Sequence, residues 1–377
     1  MSKRTWIHGL LATVYLGSSA CGDSTGDEGS PDAAGVDASA DGVSDAPVAA
    51  DATPDGDADV GWMPTAEPCP EAGGFGNCTL IEWADRPYSA YRPTNLDLST
   101  PSAVVIVLHG GSGNSNAGIS TSCPGGNLDD PACWHQVAEV ENFLVLFPNG
   151  TSSAAMPNQR AWNSGGGANG YQCVGGAPCR AGVDDVGYVG AVLDDVSTWA
   201  NVDPGAVFAT GLSNGAALSH RLACEASDRI AAIAPVGGAN QFAAVEACEP
   251  SQTTAILHIH GTADPCWEYE ESNRSCLGAI VAAKVGAVDT MADWAVRHRC
   301  TGGPDEVEEP DPDGDGIRTV AMTWTGCDAP VVLLRNEGAG HTYPNGRQYA
   351  PEANIGRTIR DWGSERIWQF FRDNRRP

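Results

Sequence analysis

The sequence predicts an α/β protein with a mostly parallel central sheet and helices on both faces. Three observations carry that expectation. Apolar, β-branched runs such as "AVVIVL" from Ala103 end in Gly, Pro or Asn, the pattern of strands buried on both faces. Amphipathic stretches of helical period stand between them. Residues able to do chemistry fall just after the runs, where open α/β sheets place their ligands.

In chain order, "AVVIVLHGG" (from Ala103) and "NFLVLFPNG" (from Asn142) read as buried strands. "VDDVGYVGAVLDDVSTWANV" (from Val183) reads as a helix, with Asp184 or Asp185 as N-cap and Val186, Val189, Val192, Leu193 and Val196 on one face. "AVFATGLS" is a strand that runs into the helix "GAALSHRLACE". "IAAIAPVGG" and "TAILHIHG" are strands, and "AVDTMADWAVRHRC" is a helix. "IRTVAMTW" and "PVVLLRNEG" are strands, and "SERIWQFFRD" closes as a helix.

Residues 1–21 read as a signal segment. Lys3 and Arg4 precede the apolar "WIHGLLATVYLG", and "SSAC" ends at Cys21. A cysteine after small residues resembles a bacterial lipoprotein signal, so Cys21 is the expected lipidation site of an exported or cell-surface protein. Residues 22–67 are rich in Ala, Asp, Gly, Ser and Pro and are expected to be a disordered acidic linker. Residues 68–377 form the expected catalytic domain. No run of 18 apolar residues is present in it. The formal net charge of −27 argues against nucleic acid or an anionic membrane surface as a partner. A monomer is expected, touching a membrane only through the lipid anchor.

The chain has 13 cysteines, and assigning Cys21 to lipid leaves 12. An even number suits an oxidised, exported domain. Sequential pairing would join Cys69–Cys78, Cys123–Cys133, Cys173–Cys179, Cys224–Cys248, Cys266–Cys276 and Cys300–Cys327.

In "GLSNG", Ser213 stands between Gly211 and Gly215. With 46 glycines in the chain, that motif alone is close to a chance match. Its context gives it weight, because a strand precedes it and a helix follows, as a nucleophile elbow requires. "ILHIHGTADP" then places Asp264 after a strand, and "VVLLRNEGAGHTYP" places His341 after a later one. Nucleophile, acid and histidine thus follow the α/β-hydrolase order. A serine hydroxyl needs such a base, and the base needs a group to orient it. The oxyanion donors expected are the backbone N–H of Asn214 and that of Gly110 or Gly111 in "LHGG". His109, His258 and His260 read as structural supports.

The blocks "VLHGG…FPNG…WNSGG…VDDVGYV…GLSNGAALSHRLACE…APVGG…ILHIHGTADP…GAGHTYP" resemble the secreted polyhydroxybutyrate depolymerase and feruloyl esterase family of α/β-hydrolases. The resemblance implies an exported serine esterase with Ser213, Asp264 and His341 as its triad. It also implies that Trp162 and Asn163 contribute to the substrate pocket. The chain departs from the family after the acid, where "CWEYEESNRSC" stands. Trp267 and Tyr269 there suggest an aromatic wall.

"DPDGDG" puts Asp311, Asp313 and Asp315 at the spacing that opens a calcium loop, but its twelfth position is Met322. An acidic hairpin turn is the plainer reading, with a weak structural calcium site as the other. No cofactor is required. The expected function is hydrolysis of a small ester, or of ester groups on a polysaccharide or polyester, through an acyl-enzyme. An acetylxylan-type esterase, a serine peptidase on the same fold and a non-catalytic surface-binding protein are the alternatives.

Overall fold

The run from Ser102 to Leu108 is buried at every position and sits near the middle of a ten-stranded sheet. The structure is a computed structural model that describes residues 62–377 apart from 154–155, 271–274, 277–278 and 281–282. The signal segment, Cys21 and most of the linker therefore lie outside the described residues.

In chain order the sheet's strands are β1 (Gly74–Cys78), β2 (Tyr88–Arg92), β3 (Ser102–Leu108), β4 (Leu144–Phe147) and β5 (Val202–Leu212). They continue as β6 (Ala232–Val236), β7 (Ala255–Gly261), β8 (Gly302–Glu308), β9 (Arg318–Thr325) and β10 (Val331–Glu337). The spatial order is β1-β2-β4-β3-β5-β6-β7-β10-β9-β8. The six central strands, β4 to β10 in that order, pair in parallel. Antiparallel strands extend each side, β1 and β2 on one and β9 and β8 on the other.

Side chains alternate along each strand, so β3 feeds two cores. Val104, Ile106 and Leu108 join a cluster with Trp199, Leu218 and Trp294. Val105 and Val107 join a second cluster with Trp134, Phe208 and Phe371. Helices Asp185–Trp199, Asn214–Glu225 and Ala287–Arg297 thus cover one face, and Trp134–Glu141 and Ser364–Asp373 cover the other. Asp184 is the N-cap of the Asp185–Trp199 helix, its carboxylate accepting from Gly187 N–H at 2.7 Å. With an elbow serine at the end of a central strand, this sheet is the α/β-hydrolase fold. Among the described residues no helix is long and apolar enough to cross a membrane.

The backbone N–H groups of Thr65 and Ala66 both donate to the Thr198 carbonyl, which docks the end of the linker on the domain.

Five of the sequential cysteine pairs are bonded: Cys69–Cys78, Cys123–Cys133, Cys173–Cys179, Cys224–Cys248 and Cys300–Cys327. The side chain of Cys276, expected to pair with Cys266, lies outside the described residues. Cys224 is on the helix after Ser213, and its bond to Cys248 ties that helix to a loop 24 residues on. Opening a loop of that size is expected to cost about 3 kcal/mol, mainly by freeing the unfolded chain. A Cys224→Ser/Cys248→Ser double variant should therefore unfold at a lower urea concentration with a transition slope at least as steep, read by circular dichroism.

Candidate active site

β5 ends at Leu212, and the next helix starts at Asn214. Ser213 alone makes the turn, with φ +60° and ψ −115°. A side-chain-bearing residue at such angles is strained and is held only by what packs around it. Three glycines allow that packing. A Cβ on Gly211 would lie 2.5 Å from the Leu108 carbonyl oxygen, and one on Gly215 only 2.3 Å from it. A Cβ on Gly238 would lie 2.2 Å from the Ser213 carbonyl oxygen. The Ser213 N–H is anchored on the Val236 carbonyl at 2.9 Å.

The other expected residues also stand beyond the carboxyl ends of parallel strands. Gly110 and Gly111 follow β3, Asp264 follows β7 and His341 follows β10. His341 Nδ1 lies 2.6 Å from Asp264 Oδ2. The other carboxylate oxygen, Oδ1, accepts from the backbone N–H groups of Cys266 at 2.7 Å and Trp267 at 2.8 Å. These bonds fix the carboxylate, so the ring it touches is fixed as well. Gly237 packs beside the pair, where a Cβ would lie 3.2 Å from His341 Nδ1. The Tyr349 hydroxyl donates to the His341 carbonyl at 3.1 Å. Ser213 and His341 open onto one cavity of about 440 Å³ whose wall includes Gly110, Gly111, Leu212 and Tyr349.

The loop after β3 is held by His109. Its Nε2 accepts from the Gly150 N–H at 3.0 Å, so Nδ1 carries the proton and donates to the Gly110 carbonyl at 2.8 Å. Burial pushes this ring down to about 4, so it is neutral at pH 7. The Asn214 side chain is engaged on three sides. Its oxygen accepts from Trp162 N–H at 2.7 Å, and its NH₂ donates to the Trp162 carbonyl at 3.0 Å and to Ser164 Oγ at 2.7 Å. The indole N–H of Trp162 donates to the His109 carbonyl at 2.9 Å. One residue therefore links both loops that the sequence assigns to the oxyanion hole.

That position corrects the expected pocket. Trp162 is fully buried, Asn163 nearly so, and neither lines the cavity. Trp267 is also buried, its indole N–H on the Val285 carbonyl at 2.8 Å, and it too is absent from the cavity wall. Burial leaves these side chains no open face for substrate. Tyr269 sits in a different depression with Asp264 and Arg335. Behind Trp162, the buried Arg86 guanidinium pairs with Asp185 and lies 3.8 Å from the Tyr188 ring centroid. Asp185 also accepts from the Asn163 N–H. Burial pushes the Asp185 carboxyl up while Arg86 opposes the shift.

A buried row of histidines runs from the elbow helix to the acid loop. Trp294 Nε1–H donates to His220 Nδ1 at 3.0 Å, and an indole can only donate. His220 Nε2 then donates to His258 Nδ1 at 3.0 Å, and His258 Nε2 to His260 Nδ1 at 3.1 Å. His260 Nε2 ends the row on the Trp267 carbonyl, which can only accept. Its two ends thus fix all three tautomers. Burial lowers His220 to about 3, His258 well below its usual range and His260 below it.

Asp311, Asp313 and Asp315 lie in the turn between β8 and β9, with carboxylate oxygens within 4.8 Å of one another. Each already serves the turn. Asp311 accepts from the Gly314 and Gly316 N–H groups, Asp313 from Asp315 N–H, and Asp315 from Ile317 N–H and Arg357.

No family model matches the chain. Among curated proteins it is 24% identical over 261 residues to the bifunctional acetylxylan esterase/xylanase XynS20E of Neocallimastix patriciarum, covering 69% of this chain and 31% of that one. It is 28% identical over 166 residues to feruloyl esterase B of Piromyces equi, covering 44% and 28%. It is 23% identical over 291 residues to "Probable feruloyl esterase C" of Aspergillus niger, covering 76% and 83%. The chain thus spans about three tenths of the length of the first two. Among solved structures, an acetyl xylan esterase from Aspergillus awamori aligns with a TM-score of 0.48 at 16% identity, over 72% of this chain and 94% of that one.

Two outcomes test this geometry. Gly215→Ala, whose new methyl meets the backbone of Leu108, should lose about 1–3 kcal/mol in urea unfolding. The buried histidines bind fewer protons folded than unfolded, where their pKa is about 6.5. Their stabilisation is therefore complete above about pH 6.5 and lost as pH falls toward 4. The urea midpoint should hold between pH 7 and 8 and drop through that window. By sequence the chain is similar to feruloyl and acetylxylan esterases, and Ser213, Asp264 and His341 stand beyond the strand ends of its α/β-hydrolase fold.

Proposed function

We propose that this chain is an exported serine carboxylic-ester hydrolase. The observation that carries the reading is the His341–Asp264 hydrogen bond at the cavity onto which Ser213 opens. In this mechanism His341 Nε2 takes the Ser213 proton as Oγ attacks the ester carbonyl carbon. Asp264 holds Nδ1–H and stabilises the imidazolium. The carbonyl π electrons move to oxygen, and the N–H groups of Asn214 and of Gly110 or Gly111 receive that charge. Asn214 is the first residue of its helix, so its N–H has no intrahelical partner. His341 then protonates the leaving alcohol, and water repeats the cycle on the acyl-enzyme. No step requires a cofactor. The five disulfides support export to an oxidising compartment. The similarity to an acetylxylan esterase and a feruloyl esterase supports acetyl or feruloyl esters as substrates, and the sequence resemblance adds hydroxybutyrate oligomers.

Ser213→Ala should lower kcat on p-nitrophenyl butyrate by at least about 10³-fold, with an unchanged circular dichroism spectrum. Equal rates in wild type and variant would overturn the reading. Methyl ferulate, acetylated xylan and 3-hydroxybutyrate oligomers, compared by kcat/KM, identify the acyl class.

A further inference from the structure

The cavity over Ser213 is lined mostly by small or apolar groups, among them Ala117, Leu212 and Tyr349. It has one arginine, Arg347, and among the described residues no carboxylate lines it. Arg335 pairs with Glu306, Arg357 with Asp315 and Arg366 with Glu309, while Arg160, beside the cavity wall at Gly113, spends its guanidinium on the Gly150 and Asp85 carbonyls. Arg347 has no ion pair among the described residues. In a chain of formal net charge −27, with 48 acidic residues to 21 basic, an unpaired cation at the mouth of a cavity is notable on charge grounds alone.

Its backbone is held in place. The Arg347 N–H donates to the Thr121 carbonyl at 3.0 Å, and Thr121 is itself part of the cavity wall. Gly346 runs so close beneath that a Cβ there would lie 2.2 Å from the same carbonyl oxygen. The side-chain stem lies over Gly126, where a Cβ would be 3.4 Å from Arg347 Cδ, and Gly126 is inside the loop closed by Cys123–Cys133. Two residues on, Tyr349 is bonded to His341. The arginine is thus tied on one side to a disulfide loop and on the other to the segment that holds the histidine.

We propose that Arg347 determines specificity, selecting esters that carry a free carboxylate in their acyl or alcohol half. The inference rests on the esterase reading above. A guanidinium is charged at every working pH and presents parallel N–H donors that match a carboxylate. Arg347 is exposed at the mouth, so its contact is partly screened by solvent and its selectivity comes from the matched pair of donors. The acidic surface as a whole repels an anionic ester, so only a local cation makes such a substrate favourable at this mouth. Of the three acyl classes named above, linear hydroxyacid oligomers end in a carboxylate, whereas feruloyl and acetyl groups are neutral.

Monomethyl adipate and dimethyl adipate separate charge from chain length. The ratio of kcat/KM for monoester over diester, measured by pH-stat, should fall about tenfold in Arg347→Gln, mainly through KM. Arg347→Lys should keep part of it, since the charge remains and the paired donors do not. In a Ser213→Ala background, calorimetric binding of monomethyl adipate should weaken similarly on adding Arg347→Gln. An unchanged ratio in both variants overturns the proposal and leaves the esterase reading standing. If wild type cleaves neither ester while the Ser213→Ala protein binds the monoester through Arg347, the esterase reading falls and the recognition site stands.

Discussion

Everything in this site depends on one backbone contact, the elbow at Ser213 pressed against the end of the neighbouring strand. A serine at positive φ would relax into an ordinary helix start if it had room. It has none, because Gly211 and Gly215 let the turn close onto the Leu108 carbonyl and Gly238 closes over Ser213 from the other side. The contact also sets the spacing between Asn214 and the glycines after β3. In the proposed mechanism, the two loops that would receive an oxyanion are thereby positioned before any substrate arrives, which is what electrostatic stabilisation of a transition state needs.

Around that contact the protein spends neutral dipoles rather than charges. His109 holds the β3 loop as a neutral ring, Trp162 bonds to both loops, and three neutral histidines bridge the elbow helix to the acid loop. The one fully buried ion pair, among the described residues, is Arg86–Asp185 on the far side of Trp162. Neutral groups with fixed donor and acceptor ends hold geometry without adding a field that would compete with the developing oxyanion. The ion pair steadies the support, where its charge is compensated on the spot.

Much of this was legible in the chain. The central strands announce themselves as unbroken apolar runs, and the order of Ser213, Asp264 and His341 follows strand ends. Strands β1 and β2, "GFGNC" and "YSAYR", and the exposed edge strand β8, "GGPDEVE", carry no such run. β1 and β8 pair with antiparallel neighbours without burial on two faces, so their sequences resemble loops, and β2 buries Tyr88, Ala90 and Tyr91 but is short and interrupted by Ser89. His258 and His260 share a strand face by their i, i+2 spacing, and their contact follows from that alone. Their partners His220 and Trp294 come from two helices, and nothing local reports it. Trp162 was misread for the same reason. Its role as a clamp depends on Asn214, 52 residues away, and an aromatic residue just after a strand looks the same whether it faces substrate or protein.

The bonded cysteines share one further property. In each of the five pairs, every cysteine is joined to the next one in the chain, across 6 to 27 residues. At each of these sites, in a chain that emerges residue by residue into an oxidising compartment, the native partner is the next cysteine to appear. Correct connectivity then needs only an oxidant acting in order of appearance, with no reshuffling of earlier bonds. The scaffold that braces the elbow helix can thus be secured locally, before the distant strand ends that complete the site have come together.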